Sequence, residues 1–311
     1  MMIIGSGDFR YELADEWAQV PDGAVMGDVC DVDCADDGSI YLFTRGTYPL
    51  LHLDNDGKVL DGWESGFYTR IHGGKLSKDG NIFCVDSENH IVCKHRLNGE
   101  LIYCLGTRGV PNNNGFVNGP DLDAAIDAVE KAGPPFNLPT NLCCADDGTI
   151  YITDGYGNGR VHHFSVEGKL IESFGEIGRG PGQFRAPHCI CQDRQQRFYV
   201  ADRQNNRVQI FAPDFSYLEE WNDLEYPTGV AVDDDGVVYV SELARRISIF
   251  DPDGKLILRY RCEDTDYQNC VFVAPHGLSV DQQGALYIAD VCVAVGKVDR
   301  GSRSVRRFLR I

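Results

Sequence analysis

The sequence predicts an all-β protein: a six-bladed β-propeller with four antiparallel strands per blade, forming a single domain over 1–311, with one short helical insertion near 121–131. Three observations predict it. One phrase recurs six times, as DVDCADDGSIYLFTR, GKLSKDGNIFCVDS, NLCCADDGTIYITDG, CICQDRQQRFYVADR, GVAVDDDGVVYVSE and GLSVDQQGALYIAD. An acidic turn sits at its centre, closed by Gly38, Gly80, Gly148, Gly236 and Gly284, with Gln196 in the fourth copy. Copies recur at roughly 40–48 residues, the length of a propeller blade.

Each element follows from its residues. Asp-Gly between two alternating apolar runs is a hairpin signal, because the turn needs a left-handed residue. Third strands follow in RVHHFSVEGKL, RVQIFAPDF and RISIFDPDGKL, and fourth strands in LIESFGE and YLEEWND. The Gly-, Asn- and Pro-rich stretch between Gly106 and Phe136 lies outside the repeat, and the alanine spacing in its DLDAAIDAVEKA segment reads as a short surface helix. The segments YELADEWAQVP and SVRRFLRI, near the two ends of the chain, are expected to complete the last blade together and to remove an open sheet edge.

Composition narrows the function. A formal net charge of −18 argues against nucleic acid and anionic membranes, which need clustered Lys and Arg. An anionic small-molecule substrate must then be held by a few placed cations. No run approaches the ~18 apolar residues of a membrane span and the first residues lack a basic leader, so a cytoplasmic protein is expected. Cysteines such as Cys84, Cys93, Cys143, Cys144, Cys189 and Cys191 sit singly in apolar runs and read as small buried hydrophobes.

The common register exposes a candidate site. Eight residues before each turn residue stand Cys30, His72, Thr140, His188, Thr228 and His276, so histidine occupies alternate blades. Alternate blades of a six-fold ring lie about 120° apart, which converges three imidazoles on one point. Three His with an open position is a catalytic zinc arrangement, although another divalent transition metal is compatible. Any one of these histidines alone would read as a packed strand-start residue; it is their shared register that argues for a ligand set.

Seven residues after the turn come Arg45 and Arg203, at the same strand end of different blades. In an acidic chain they read as clamps for a substrate carboxylate, since guanidinium forks onto carboxylates. For Arg203 an ion pair with Asp202 is the competing reading. Asp86, Asp154, Asp202 and Asp290 recur one position earlier and read as structural turn bridges. Tyr156 has no counterpart in the other blades. In the Gly-flanked turn DGYGNGR it can project towards the metal and serve as a general base.

TDGYGNGRVHHF, GQFRAPHCI and VADRQNNRVQIF, together with the PHG-type histidine starts, resemble the NHL-repeat propellers of the peptidyl-α-hydroxyglycine α-amidating lyase family over essentially the whole chain. The resemblance implies zinc on His72, His188 and His276, arginines at Arg45 and Arg203, and a catalytic tyrosine at Tyr156. It implies cleavage of the C–N bond of an N-substituted α-hydroxyglycine to an amide and glyoxylate: zinc on the substrate hydroxyl, Tyr156 taking its proton, and Arg45 or Arg203 holding the carboxylate. The chain departs from the secreted animal members. Gly157 stands where they carry a disulfide cysteine, and Tyr199 and Ile210 stand at their second disulfide. Gly277 replaces an acidic residue associated with a structural calcium, which leaves a calcium site in doubt. Two other functions fit the same residues: a zinc-dependent hydrolase or hydratase acting on another small acid, and a non-catalytic NHL propeller that binds a protein partner.

Overall fold

Alternating apolar runs separated by tight acidic turns fold into six antiparallel sheets, and the protein is a six-bladed β-propeller with four strands per blade and two small helices. The computed structural model describes residues 2–64, 66–133 and 135–311. Among the described residues, no helix is long and apolar enough to cross a membrane.

The turns form for the reason the sequence suggests. Gly38 adopts φ 84°, and Gln196 takes the same left-handed region at φ 63°, so the fourth hairpin keeps its geometry without glycine. An aspartate side chain finishes the turn: Asp37 accepts the Ser39 N–H at 2.9 Å, and Asp193 accepts those of Gln195 and Arg197 at 2.9 and 2.8 Å.

The chain groups into two compact units, Met1–Phe67 with Thr228–Ile311, and Tyr68–Pro227. The second unit holds three blades. They are Ile71–Leu76, Asn81–Asp86, Ile91–Arg96 and Leu101–Gly106; Asn141–Cys144, Ile150–Asp154, Arg160–Phe164 and Leu170–Phe174; and Pro187–Gln192, Phe198–Asp202, Arg207–Phe211 and Tyr217–Trp221. Second strands such as Ile150–Asp154 and Phe198–Asp202 are buried along their whole length, which explains their unbroken apolar runs. Fourth strands such as Leu170–Phe174 are exposed at their first three residues. Phe184, Phe198, Val200 and Phe211 form one apolar cluster of this unit, and Phe83, Phe136, Ile150 and Ile152 belong to another.

The first unit holds the blade Val29–Cys34, Ile40–Thr44, Leu50–Leu53 and Val59–Trp63, the blade Pro227–Val232, Val238–Glu242, Arg246–Phe250 and Leu256–Arg261, and the last blade. That blade joins both chain ends, as the sequence leads one to expect. Phe9–Ala14 pairs with Val305–Arg310, which pairs with Leu286–Asp290 and then Pro275–Val280. An additional strand, Ile3–Ser6, extends the sheet to five; its Gly and Ser content hid it in the sequence.

The short helix expected near 121–131 is present as Leu122–Asp127, capped by the Asp121 carboxylate on the Ala124 N–H at 3.1 Å. One expectation needs correction. Cys93 is not a lone hydrophobe: it is disulfide-bonded to Cys104, its directly opposite neighbour on the next strand. Cross-strand proximity of this kind becomes visible only once register is known.

The end-joining strand makes a stability prediction. Phe308 is fully buried, lies opposite Leu13 and Leu286, and packs on Phe272 with ring centroids 5.8 Å apart. Phe308→Ala should lower unfolding free energy by about 3–5 kcal/mol in urea denaturation; a loss under about 1 kcal/mol would show that the last blade does not depend on this strand.

Candidate active site

In three blades with a candidate histidine, the first strand carries a register irregularity at that residue. The pairing shifts between Ile71 and Gly73, between Pro187 and Cys189, and between Pro275 and Leu278, placing His72, His188 and His276 at bulges. A bulge turns a side chain out of the strand's alternation, and so these imidazoles leave the sheet face. They are almost wholly buried, at 1%, 1% and 5% exposure.

Buried carboxylates hold the chain where it enters these strands. Asp86 accepts the Thr69 and Arg70 N–H groups at 2.8 and 3.1 Å, and Asp154 accepts that of Asn137 at 3.0 Å. Asp202 accepts the Arg185 N–H at 2.7 Å, and Asp290 accepts that of Val273 at 2.8 Å. The repeated aspartates are therefore the turn bridges their periodicity suggests. Burial pushes the Asp202 carboxyl up to about 6, against the opposing pull of Asn205 and Arg207.

Within Tyr68–Pro227 the site residues meet. His72 Nδ1 lies 2.8 Å from the Thr140 carbonyl oxygen, which can only accept, so Nδ1 carries the proton and Nε2 presents its lone pair. Tyr156 Oη lies 2.9 Å from His72 Nε2 and 3.2 Å from His188 Nε2. Arg203 Nη1 donates to the same phenol oxygen at 3.1 Å, with its guanidinium carbon 5.3 Å from the ring centre. Asp202, the expected alternative partner of Arg203, pairs with Arg207 at 2.9 Å. The glycines beside Tyr156 are required by close approach: a Cβ on Gly155 would lie 2.2 Å from the Pro187 carbonyl oxygen, and one on Gly157 would lie 2.5 Å from Asn137 Oδ1.

In the other unit, His276 Nδ1 donates to the Cys30 carbonyl at 2.6 Å, again leaving Nε2 as the donor atom for a ligand. Arg45 is ion-paired with Asp28 at 3.2 Å, and Asp28 also accepts the N–H groups of Val293 and Ala294 at 2.7 and 3.0 Å. Among the described residues, His72, His188 and His276 are the group of histidine, cysteine or carboxylate side chains that could hold a metal ion. The donor chemistry fits one. His72 and His276 have Nδ1 committed to a carbonyl, the arrangement that orients metal-binding histidines, and an all-imidazole set suits zinc and its neighbours.

Sequence reasoning missed two kinds of contributor. Thr140 and Thr228 share the histidine register but donate their hydroxyls to the carbonyls of Pro187 and Pro275, at 2.9 and 2.8 Å, just before His188 and His276. Their position in the register was the available signal. Asp28 lies outside the repeated phrase and had none.

An NHL repeat model matches residues 184–211. NHL repeat-containing protein 3 of Mus musculus is 30% identical over 88% of this chain and 76% of its own length. The "Probable peptidyl-alpha-hydroxyglycine alpha-amidating lyase" of Caenorhabditis elegans is 26% identical over 58% of this chain and 46% of its own length. Among solved structures, a streptogramin B lyase superposes with a TM-score of 0.63 at 13% identity, covering 98% of this chain and 99% of that one, a likeness of fold alone.

The donor set predicts metal retention. Purified protein dialysed against zinc should hold about one ion per chain by elemental analysis, and His188→Ala should bind it at least about 100-fold more weakly. Equal zinc content in both proteins would remove His188 from the ligand set.

Proposed function

The chain belongs to the family of NHL repeat-containing protein 3, and we propose that its histidine centre serves a zinc-dependent lyase that resembles peptidyl-α-hydroxyglycine α-amidating lyase. The substrate class is an N-substituted α-hydroxyglycine-like carbinolamide, and the products are an amide and glyoxylate. One observation carries the reading: the Tyr156 hydroxyl is held jointly by His72 Nε2, His188 Nε2 and Arg203 Nη1, at 2.9, 3.2 and 3.1 Å. A phenol used only for packing has no need of two imidazoles and a guanidinium. The similarity to an α-amidating lyase over more than half the chain supports it.

His72, His188 and His276 would hold the zinc ion, which when bound would supply Lewis-acid polarisation of the substrate oxygen. Tyr156 takes the proton of the substrate hydroxyl as a phenolate, the form that the Arg203 guanidinium stabilises, and so becomes the neutral phenol. As the C–N bond breaks, its electron pair goes to nitrogen and the carbinol carbon becomes the aldehyde of glyoxylate. The proton on Tyr156 passes to the departing nitrogen, so protons balance and no redox partner is needed. Arg45 is assigned with Arg203 to the substrate carboxylate, since guanidinium forks onto carboxylates, and its pairing with Asp28 keeps the Arg45 guanidinium oriented.

The similarity to NHL repeat-containing protein 3, whose name states repeats and no reaction, favours a second reading, a propeller that binds a protein partner without catalysis. One assay separates the readings. Zinc-loaded protein given an N-acyl α-hydroxyglycine should release glyoxylate and amide in equal amounts, and Tyr156→Phe should lose at least about 100-fold in kcat at unchanged zinc content. Full activity in Tyr156→Phe refutes the proton role. Zinc retention without glyoxylate turns the assignment towards a hydrolase or hydratase, and absence of both zinc and turnover favours the partner-binding reading.

A further inference from the structure

The connection from Gly106 to Asn141 is far longer than that from Phe174 to Pro187 in the same unit, and it carries the helix Leu122–Asp127. Two of its asparagines turn inward. Asn114 and Asn137 are 5% and 4% exposed, Asn158 of the Tyr156 turn is 0% exposed, and Arg185, which meets the helix, is 4% exposed. Buried amides and guanidinium groups cost stability unless every partner is supplied, and where they are supplied they select one geometry.

The asparagines converge on the turn that carries Tyr156. Asn114 Nδ2 donates to the Gly157 carbonyl at 2.5 Å, and its Oδ1 accepts the Asn137 side-chain N–H at 3.1 Å. The Gly157 N–H donates to the Asn137 carbonyl at 2.9 Å, so both backbone groups of the residue after Tyr156 are held. Asn158 closes the far side, accepting the Gly133 N–H at 2.8 Å and donating to Asp154 Oδ2 at 2.8 Å. The same excursion also reaches the turn that carries Arg203. Arg185 pairs with Asp123 at 2.8 Å and with Asp127, both on the helix. Gln204 donates to Asp123 at 3.0 Å while accepting from Arg203 Nε at 3.1 Å.

We propose that the excursion between Gly106 and Asn141 is the positioning element for the Tyr156–Arg203 pair, with Asn114 and the helix carboxylates as its two points of grip; the role rests on the reading of Tyr156 as the proton-carrying group. The phenol oxygen must stay beside the two imidazoles and within hydrogen-bond reach of the Arg203 guanidinium, and displacements of about 1 Å can cost a site 100-fold in rate. A turn containing Gly155, Gly157 and Gly159 has little stiffness of its own, so the stiffness comes from the excursion.

The test uses the full chain, loaded with zinc. In Asn114→Ala, hydrogen exchange at the Gly157 amide should rise about tenfold or more while the strands Ile150–Asp154 and Arg160–Phe164 keep their protection. Glyoxylate kcat should fall about 10–100-fold with KM within about twofold, because a misplaced proton carrier affects the chemical step and not binding. Should that variant fail to fold, the exposed double variant Asp123→Ala/Asp127→Ala replaces it, with raised exchange at the Arg203 and Gln204 amides as the expected result. Unchanged exchange at these amides, or an equal rise throughout the strands of the blade, overturns the proposal. If the wild-type protein makes no glyoxylate, the lyase reading falls by itself, and the exchange measurement still decides whether the excursion grips the turn.

Discussion

A buried carboxylate at the end of a second strand, bonded to backbone N–H groups of the segment entering the same blade, is the interaction on which the site depends. Asp86, Asp154, Asp202 and Asp290 all do this, and all are fully buried. Such a bond sets where the first strand begins and so where its bulge falls, and at three bulges stands a histidine. Burial that raises the Asp202 and Asp290 carboxyls is the energetic cost of the arrangement, offset by several hydrogen bonds to each carboxylate. Without these anchors the first strands would be free to slip, and a one-residue slip would turn every side chain to the opposite face.

From that constraint the chemistry follows in steps. The bulge takes the imidazole out of the strand's alternation, and a carbonyl of the following blade fixes its tautomer, Thr140 for His72 and Cys30 for His276. With Nδ1 occupied, His72 and His276 each present Nε2. In the second unit, Nε2 of His72 and Nε2 of His188 both lie beside the Tyr156 hydroxyl, which Arg203 also contacts. Threonines replace histidine at two intervening positions and brace the carbonyl before the next histidine, so one register alternates between histidine and support.

The excursion after the second blade shows how a repeat fold acquires a site that is not symmetric. The second strands end alike, yet only one is followed by a tyrosine between two glycines, and beside it lies an insertion rich in asparagine. The glycines allow close approach to Pro187 and Asn137, and the buried amides fill the space that approach creates. Departures from the repeat are thus concentrated around the one residue that repetition could not supply.

The fold and the histidine set were legible in the sequence because both are periodic. A turn glycine, a β-rich strand and a histidine at constant offset need only counting, Arg45 and Arg203 stand out at one shared register position, and Tyr156 could be selected as a departure from that count. Tertiary structure alone decided the rest, since it depends on which distant residues meet. It paired Cys93 with Cys104, gave Asp202 to Arg207 and so left Arg203 for Tyr156, set Asp28 against Arg45, and folded the asparagines of the excursion onto Gly157. Periodicity reports what a residue shares with its counterparts. The partners of one buried polar group among many appear only when desolvation and geometry have selected them in the folded chain.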